Sequence, residues 1–180
     1  MRVEVRGQEK EKFCEAQRLI VSELVGRIES IDISKNSLVP SSRQFKNQFS
    51  LILQSHNWLR NFKYDSSVPD SINNANYKLD AVLDENCLEC SCRHRFLLEV
   101  CFDNRQAIGT NLMKFETASQ IFQSKPNQTA ISILICADAR TLKNLGWDPA
   151  TGSSEEYEFA LRDPYVHILK TEPILLVLRS

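Results

Sequence analysis

The sequence predicts an α/β fold, built as a single domain over residues 1–180, with a central mixed β-sheet that helices flank on both faces. The chain has 180 residues, 42% of them hydrophobic and 25% charged, which suits one domain with a substantial core. Helical and strand patterns follow the order helix, helix, strand, strand, helix, strand, helix, strand. The run "TAISILICA" is rich in β-branched residues and typical of a central strand buried on both faces.

Two helices are predicted at the N-terminal end. Apolar residues recur every three or four positions from 9 to 31, which predicts a long amphipathic helix. The segment "RQFKNQFSLILQSHNW" carries a second apolar stripe through Phe45 and Phe49, and Ser41 or Ser42 is suited to cap that helix. Turn-forming residues at 64–76 then predict a surface loop.

The later elements alternate between strand and helix. "YKLDAVL" and "FLLEVCF" predict two strands separated by an irregular stretch rich in cysteine. "NLMKFETASQIF" returns to helical spacing, and "SSEEYEFALRD" predicts a short helix with an acidic first turn. "PILLVLRS" predicts a closing strand.

Charge and cysteine content indicate the cellular compartment and the binding partners to expect. No apolar run reaches membrane-spanning length and the N-terminus is too charged for a secretory signal, so we expect a cytoplasmic protein with no membrane association. In that compartment the six cysteines are expected to be reduced or to bind metal. The net charge of −1 argues against a wholly basic nucleic-acid binder, although it does not exclude a local basic cleft.

Two acids occur inside apolar strands. Glu99 lies in "FLLEVCF" with Cys101 on the same face of the strand, and Asp80 lies in "KLDAVL". A carboxylate in an apolar strand requires compensation, and two of them could converge on one hard cation such as Mg²⁺. The alternative is that both acids lie at strand ends, facing solvent or pairing with Arg93 or Arg95.

These strands resemble the core of the PD-(D/E)XK nucleases, and more closely the type II restriction endonucleases of the BglII and BstYI group. In that group a strand E-V-Q-F follows a metal-binding aspartate, as "LLEVCFDN" follows "YKLDAVL" here. "VPSSRQFKNQFSLILQSHNWLRN" is similar to the segment before the family's catalytic strands, and the stretch from "GSSEEYEFALRD" to "PILLVLRS" is similar to its C-terminal part. The resemblance covers most of residues 35–180 and implies a restriction endonuclease-like fold.

The resemblance also implies roles for residues. Asp80 and Glu99 would bind Mg²⁺, with the carbonyl of Val100 as a third ligand, and Cys101 would stand where the family has the group that positions the attacking water. The residues implied to contact DNA are Asp103, Asn104, Arg105 and Lys114. Further basic residues were expected to line the DNA cleft, namely Arg43, Lys46, Arg60, Lys63, Arg93 and Arg95.

Two departures from the family leave alternatives open. The interval from Asp80 to Glu99 is longer than usual, so Asp84 is an alternative metal ligand, although "LDEN" resembles a turn. At Cys101 a neutral thiol orients water poorly. It is compatible with an active enzyme, with a changed metal preference, or with an inactive nuclease that still binds DNA.

The segment "CLECSCRH" offers a second metal site. Cys87, Cys90, Cys92 and His94 are ligand types that suit structural Zn²⁺. Four ligands within eight residues leave very short loops, so ligands elsewhere in the chain or a hairpin with free thiols are alternatives. Cys14 and Cys136 are expected to be buried in the core.

The predicted function is Mg²⁺-dependent, sequence-specific cleavage of double-stranded DNA at a short palindromic site, with metal-activated water as the nucleophile. The resemblance implies a homodimer, a site with a GATC core, and a cognate DNA methyltransferase that is linked genetically but forms no stable complex. The alternatives are a catalytically impaired DNA-binding or regulatory protein of the same fold, and a zinc-stabilised interaction module.

Overall fold

A computed structural model provides the structure of the chain. It describes residues 1–7, 13–33, 41–64, 78–102, 105–148, 150–162, 169 and 172–180. All but the first residue of the predicted loop at 64–76 lies outside these ranges.

One six-stranded sheet runs through the described part of the chain, in the order β1-β6-β5-β4-β3-β2. Strands β4, β5 and β6 are parallel, whereas β1 pairs with β6, β2 with β3, and β3 with β4 in antiparallel fashion. The sheet is therefore mixed, as predicted. The strands are β1 Arg2–Arg6, β2 Leu59–Lys63, β3 Lys78–Cys87, β4 Cys92–Val100, β5 Gln128–Ala137 and β6 Ile174–Arg179.

Helices cover both faces of this sheet. On one face, Ile28 and Phe45 pack with strand residues such as Leu98 and Ile133. On the opposite face, Phe115 and Tyr157 pack with the alternate strand residues, including Leu97 and Leu134. The helices are α1 Glu15–Glu29, α2 Ser41–Gln54, α3 Ile108–Gln123, α4 Ala139–Asn144 and α5 Ser154–Arg162, with a 3₁₀ turn at Arg105–Ala107 before α3. The predicted α/β fold class is confirmed.

Three elements were not predicted from the sequence, namely β1, β2 and α4. Strands β1 and β2 form the two edges of the sheet, where "RVEVR" and "LRNFK" are short and rich in charge. Short edge strands rich in charge discourage pairing with other chains. "RVEVR" does alternate, but with only two apolar residues, and "LRNFK" shows no alternation, so neither gives a strong strand signal. Helix α4 has only six residues, too few to show a helical period.

Strand β3 also extends further than predicted. The "LDEN" segment was expected to turn, but β3 continues through it to Cys87, with Asp84 opposite Arg95 of β4. Cross-strand ion pairs keep these charged residues in the ladder. No helix among the described residues combines the length and apolar character needed to cross a membrane.

Candidate active site

Strands β3 and β4 bring Asp80 and Glu99 together. The last ladder pair of the two strands is Ala81 with Leu98, so that Asp80 and Glu99 come next on each strand. Asp80 is exposed, and its Oδ2 accepts a hydrogen bond of 2.7 Å from the backbone N–H of Val100. The Asp80 side chain thus takes the amide that the ladder no longer pairs, and it is anchored beside Glu99.

Glu99 is almost completely buried, with 2% of its surface exposed. Helix α3 supplies its partner, because Lys114 Nζ lies 2.9 Å from Glu99 Oε1 and donates a second hydrogen bond to the carbonyl oxygen of Lys78. Lys114 was expected to approach DNA phosphates. Its spacing with Phe115 and Ala118, both buried on α3, is the sequence signal that it faces inward.

Glu99 has a pKa close to neutral pH. Burial and the negative charge of Asp80 raise its pKa to about 8, although the ammonium of Lys114 and the backbone N–H of Asp80 oppose this. The glutamate can therefore exchange its proton for another cation within the physiological range.

Cys101 is buried on the same face of the sheet as Glu99, beneath α3 and α5. Its Sγ accepts a hydrogen bond of 3.3 Å from Asn111 Nδ2, which also lies 3.2 Å from the hydroxyl of Tyr157. Burial and the nearby charge of Glu99 raise the pKa of Cys101 well above its ordinary value, so the thiol is neutral. A neutral, enclosed thiol packs well but neither binds Mg²⁺ nor polarises water.

Asp84, the alternative metal ligand, pairs with two arginines. Arg95 Nε and Arg93 Nη2 each lie 2.6 Å from its carboxylate oxygens. Burial alone would raise the pKa of Asp84, but the two guanidinium groups hold it below its ordinary value. Asp84 is therefore a partner of arginines on β4, and Arg93 and Arg95 are correspondingly engaged in the sheet.

The remaining predicted DNA contacts are distributed around the site. Lys46 and Arg60 line a cleft together with Asp80 and Val100. Arg105 is exposed at the start of the 3₁₀ turn after β4, and its Nη1 lies 3.3 Å from Glu156 Oε1. Asp103 and Asn104 are outside the described residues.

The cysteine cluster differs from the prediction in one ligand. Ligand atoms of Cys14, Cys87, Cys90 and His94 all lie within 4.8 Å of one another. Cys92 is not among them, since its Sγ hydrogen-bonds to the carbonyl oxygen of Cys90. Cys14 was expected to be core packing, yet it occupies this position, whereas Cys136 is fully buried in the core as expected.

Comparison with known proteins supports the fold. No family model and no curated protein matches the sequence. Among solved structures, the chain is similar to restriction endonuclease BglII, determined in complex with a DNA 16-mer, with a TM-score of 0.62 and 12% sequence identity. The alignment covers 100% of this chain and 77% of that one. The chain therefore has a restriction endonuclease-like fold.

Proposed function

We propose that the protein is a Mg²⁺-dependent nuclease that hydrolyses phosphodiester bonds in double-stranded DNA. The observation that carries the proposal is the pair formed by Asp80 and Glu99 where the β3–β4 ladder ends, within a fold shared with restriction endonuclease BglII. A buried glutamate next to an aspartate is costly to maintain, and perturbed acids of this kind concentrate at functional sites.

The donor set fits a hard divalent cation. Asp80, Glu99 and the carbonyl of Val100 offer oxygen ligands only, as Mg²⁺ prefers. A carboxylate has about four lone-pair positions and a carbonyl oxygen has two. The Val100 oxygen accepts a hydrogen bond from the N–H of Phe102. Mg²⁺ bound there would activate a water and stabilise charge on the phosphoryl oxygens.

The resemblance gives Cys101 the position of the residue that orients the attacking water. We assign this role to Lys114 instead. In the metal-free protein the ammonium of Lys114 lies 2.9 Å from Glu99 Oε1 and partly opposes the rise of the glutamate pKa. With Mg²⁺ held by Glu99, the Lys114 ammonium would be available to donate to a phosphate oxygen or to orient the attacking water. Cys101, Asn111 and Tyr157 then act as the packed support beneath Glu99.

DNA is expected to reach the acids along the basic cleft. Lys46 and Arg60 flank Asp80 there, and Arg105 lies at the end of the same strand pair. These cations would supply the sequence-independent attraction to phosphates. Asp103 and Asn104, which follow β4 in the sequence, remain our candidates for contacts with bases.

The finer specificity follows from the resemblance to the BglII and BstYI group. We propose a homodimer that cuts both strands of a short palindrome, because two-fold protein symmetry matches two-fold DNA symmetry. A GATC core and a genetically linked methyltransferase are part of this proposal. Light scattering of the protein alone and with DNA measures the predicted dimer.

Digestion of phage and plasmid DNA tests the proposal. The wild-type protein should give discrete fragments with Mg²⁺ and none without it, and Glu99→Ala should abolish them while circular dichroism shows a folded variant. Absence of cutting with Mg²⁺ and Mn²⁺, with DNA binding intact, would favour the alternative of a catalytically impaired DNA-binding protein. The buried neutral thiol at Cys101 is the observation that favours this alternative.

A further inference from the structure

A second group of ligands lies at the other end of the β3–β4 hairpin. Cys87 ends β3, Cys90 lies in the turn and His94 is in β4, while Cys14 immediately precedes α1. Asp80 and Cys87 are seven positions apart on β3, which corresponds to about 23 Å along a strand. The group is therefore separate from the acids of the candidate active site.

The spacing of the donor atoms matches a tetrahedral metal site. Cys14 Sγ lies 3.6 Å from Cys87 Sγ and 3.4 Å from His94 Nε2, and Cys90 Sγ lies 3.3 Å from the same nitrogen. Zn–S bonds of about 2.3 Å and Zn–N bonds of about 2.0 Å in a tetrahedron separate two sulfurs by about 3.8 Å and sulfur from nitrogen by about 3.5 Å. Three of the six separations are close to these values, and the other three are within 4.8 Å.

The histidine is oriented for ligation. Its Nδ1 faces the hydroxyl of Thr129, which leaves Nε2 directed at the sulfurs of Cys14 and Cys90. A metal-bound histidine ordinarily donates its other N–H to such an oxygen, which fixes the ring and its tautomer. Thr129 belongs to β5, an element outside the hairpin.

The ligand types select the metal. Three thiols and one imidazole are soft or borderline donors, which suit Zn²⁺ and not Mg²⁺. The Cys87–Cys90 pair has the C-x₂-C spacing of structural zinc sites, and the positive φ of 53° at Ser91 closes the turn that carries it. A disulfide between Cys14 and Cys87 would require their sulfurs to be about 2.05 Å apart.

We propose that Cys14, Cys87, Cys90 and His94 bind one structural Zn²⁺ that fastens the start of α1 to the tip of the β3–β4 hairpin. A hydrogen bond from the Glu15 backbone N–H to the carboxylate of Glu89 also joins these two elements. Because Cys14 is 73 residues from Cys87 in the sequence, zinc closes a long loop and stabilises the folded state substantially. The proposal does not depend on the nuclease assignment.

Metal analysis of the purified wild-type protein tests it first. Elemental analysis should find one Zn²⁺ per chain, and X-ray absorption at the zinc edge should find three sulfur neighbours and one nitrogen. Removing zinc with a chelator should lower the melting temperature, and added Zn²⁺ should restore it. Zinc-free protein that takes up neither Zn²⁺ nor Co²⁺, or a Cys14–Cys87 disulfide in the purified protein, would overturn the proposal.

Matched cysteine variants then identify the ligands. Cys14→Ser and Cys90→Ser should lose zinc and weaken the thiolate-to-cobalt absorption of the Co²⁺-loaded protein, whereas the neighbouring Cys92→Ser should keep both. Full zinc and an unchanged cobalt spectrum in Cys14→Ser would overturn the assignment, as would loss of zinc in Cys92→Ser. Should Cys14→Ser not fold, full zinc in Cys92→Ser with three sulfur neighbours leaves Cys14 as the third thiolate.

Discussion

Replacement of Glu99 by glutamine is predicted to remove a pH dependence of stability that the wild-type protein has. Burial and the charge of Asp80 raise the pKa of Glu99 to about 8, against an ordinary value of 4.5. Glutamine keeps the size and much of the hydrogen-bonding capacity of a protonated glutamic acid but does not ionise. Comparison of the two proteins therefore isolates the effect of Glu99 ionisation on the free energy of unfolding.

The sign follows from where the proton is bound. Between pH 4.5 and about 8, the unfolded state has released the proton of Glu99 while the folded state retains it, so stability falls as pH rises. The slope is about 1.4 kcal/mol per pH unit. Over the whole interval the wild type loses roughly 5 kcal/mol relative to the glutamine variant.

Urea unfolding without divalent ions, from about pH 5 to about pH 8.5, measures this difference. The two curves of stability against pH should diverge steadily, with the glutamine variant the more stable at the alkaline end. Asp84→Asn is the matched control: the pKa of Asp84 is lowered, so its contribution is complete above its ordinary range near pH 4 and gives a constant offset here. Parallel curves for wild type and Glu99→Gln would refute a raised pKa at Glu99.

Three further outcomes are expected. Mg²⁺ displaces the proton of Glu99, so its affinity measured by calorimetry should rise up to about tenfold per pH unit and level off above pH 8; an affinity that falls with pH contradicts this. Lys114→Met should slow DNA cleavage about 100-fold and leave binding in Ca²⁺ nearly unchanged, with partial recovery in Lys114→Arg; equal cleavage by all three proteins would exclude a role for the ammonium. Cys101→Ser should cleave DNA at nearly the wild-type rate, and greatly reduced cleavage by this variant would give the thiol a direct role. Cys101→Gln should lose about 1–3 kcal/mol of folding stability, because Asn111 and Tyr157 enclose the side chain.

The central strands of the sheet were predictable because each one has a recognisable pattern of apolar residues in its own sequence. Each of the strands β3 to β6 shows apolar alternation or a β-branched run within a few residues, and the acids Asp80 and Glu99 interrupt those patterns visibly. The edge strands were missed because each has only two apolar residues within five positions. Asp84 was misjudged because its charge suggested a turn, while Arg93 and Arg95 on the neighbouring strand keep it in the ladder.

The partners of the candidate sites depend on long-range packing. Lys114 pairs with Glu99 because one face of α3 is oriented toward β4. The sequence indicates this orientation only through the apolar neighbours of the lysine. Cys14 replaces Cys92 because the hairpin directs the Cys92 sulfur to a backbone carbonyl while α1 brings Cys14 from the N-terminal end. Each contact joins residues that are distant in the sequence, so the pattern of one segment alone does not predict it.

The most direct test of the nuclease proposal is the rate of plasmid cleavage by Asp80→Asn beside Asp84→Asn, measured as a function of Mg²⁺. Both variants convert an aspartate of β3 to asparagine, but only Asp80 adjoins Glu99. Metal-dependent catalysis predicts that Asp80→Asn loses at least about 100-fold in rate while Asp84→Asn stays close to wild type. Equal rates in the two variants, or cleavage that does not respond to Mg²⁺, would contradict a metal-dependent site at Asp80 and Glu99.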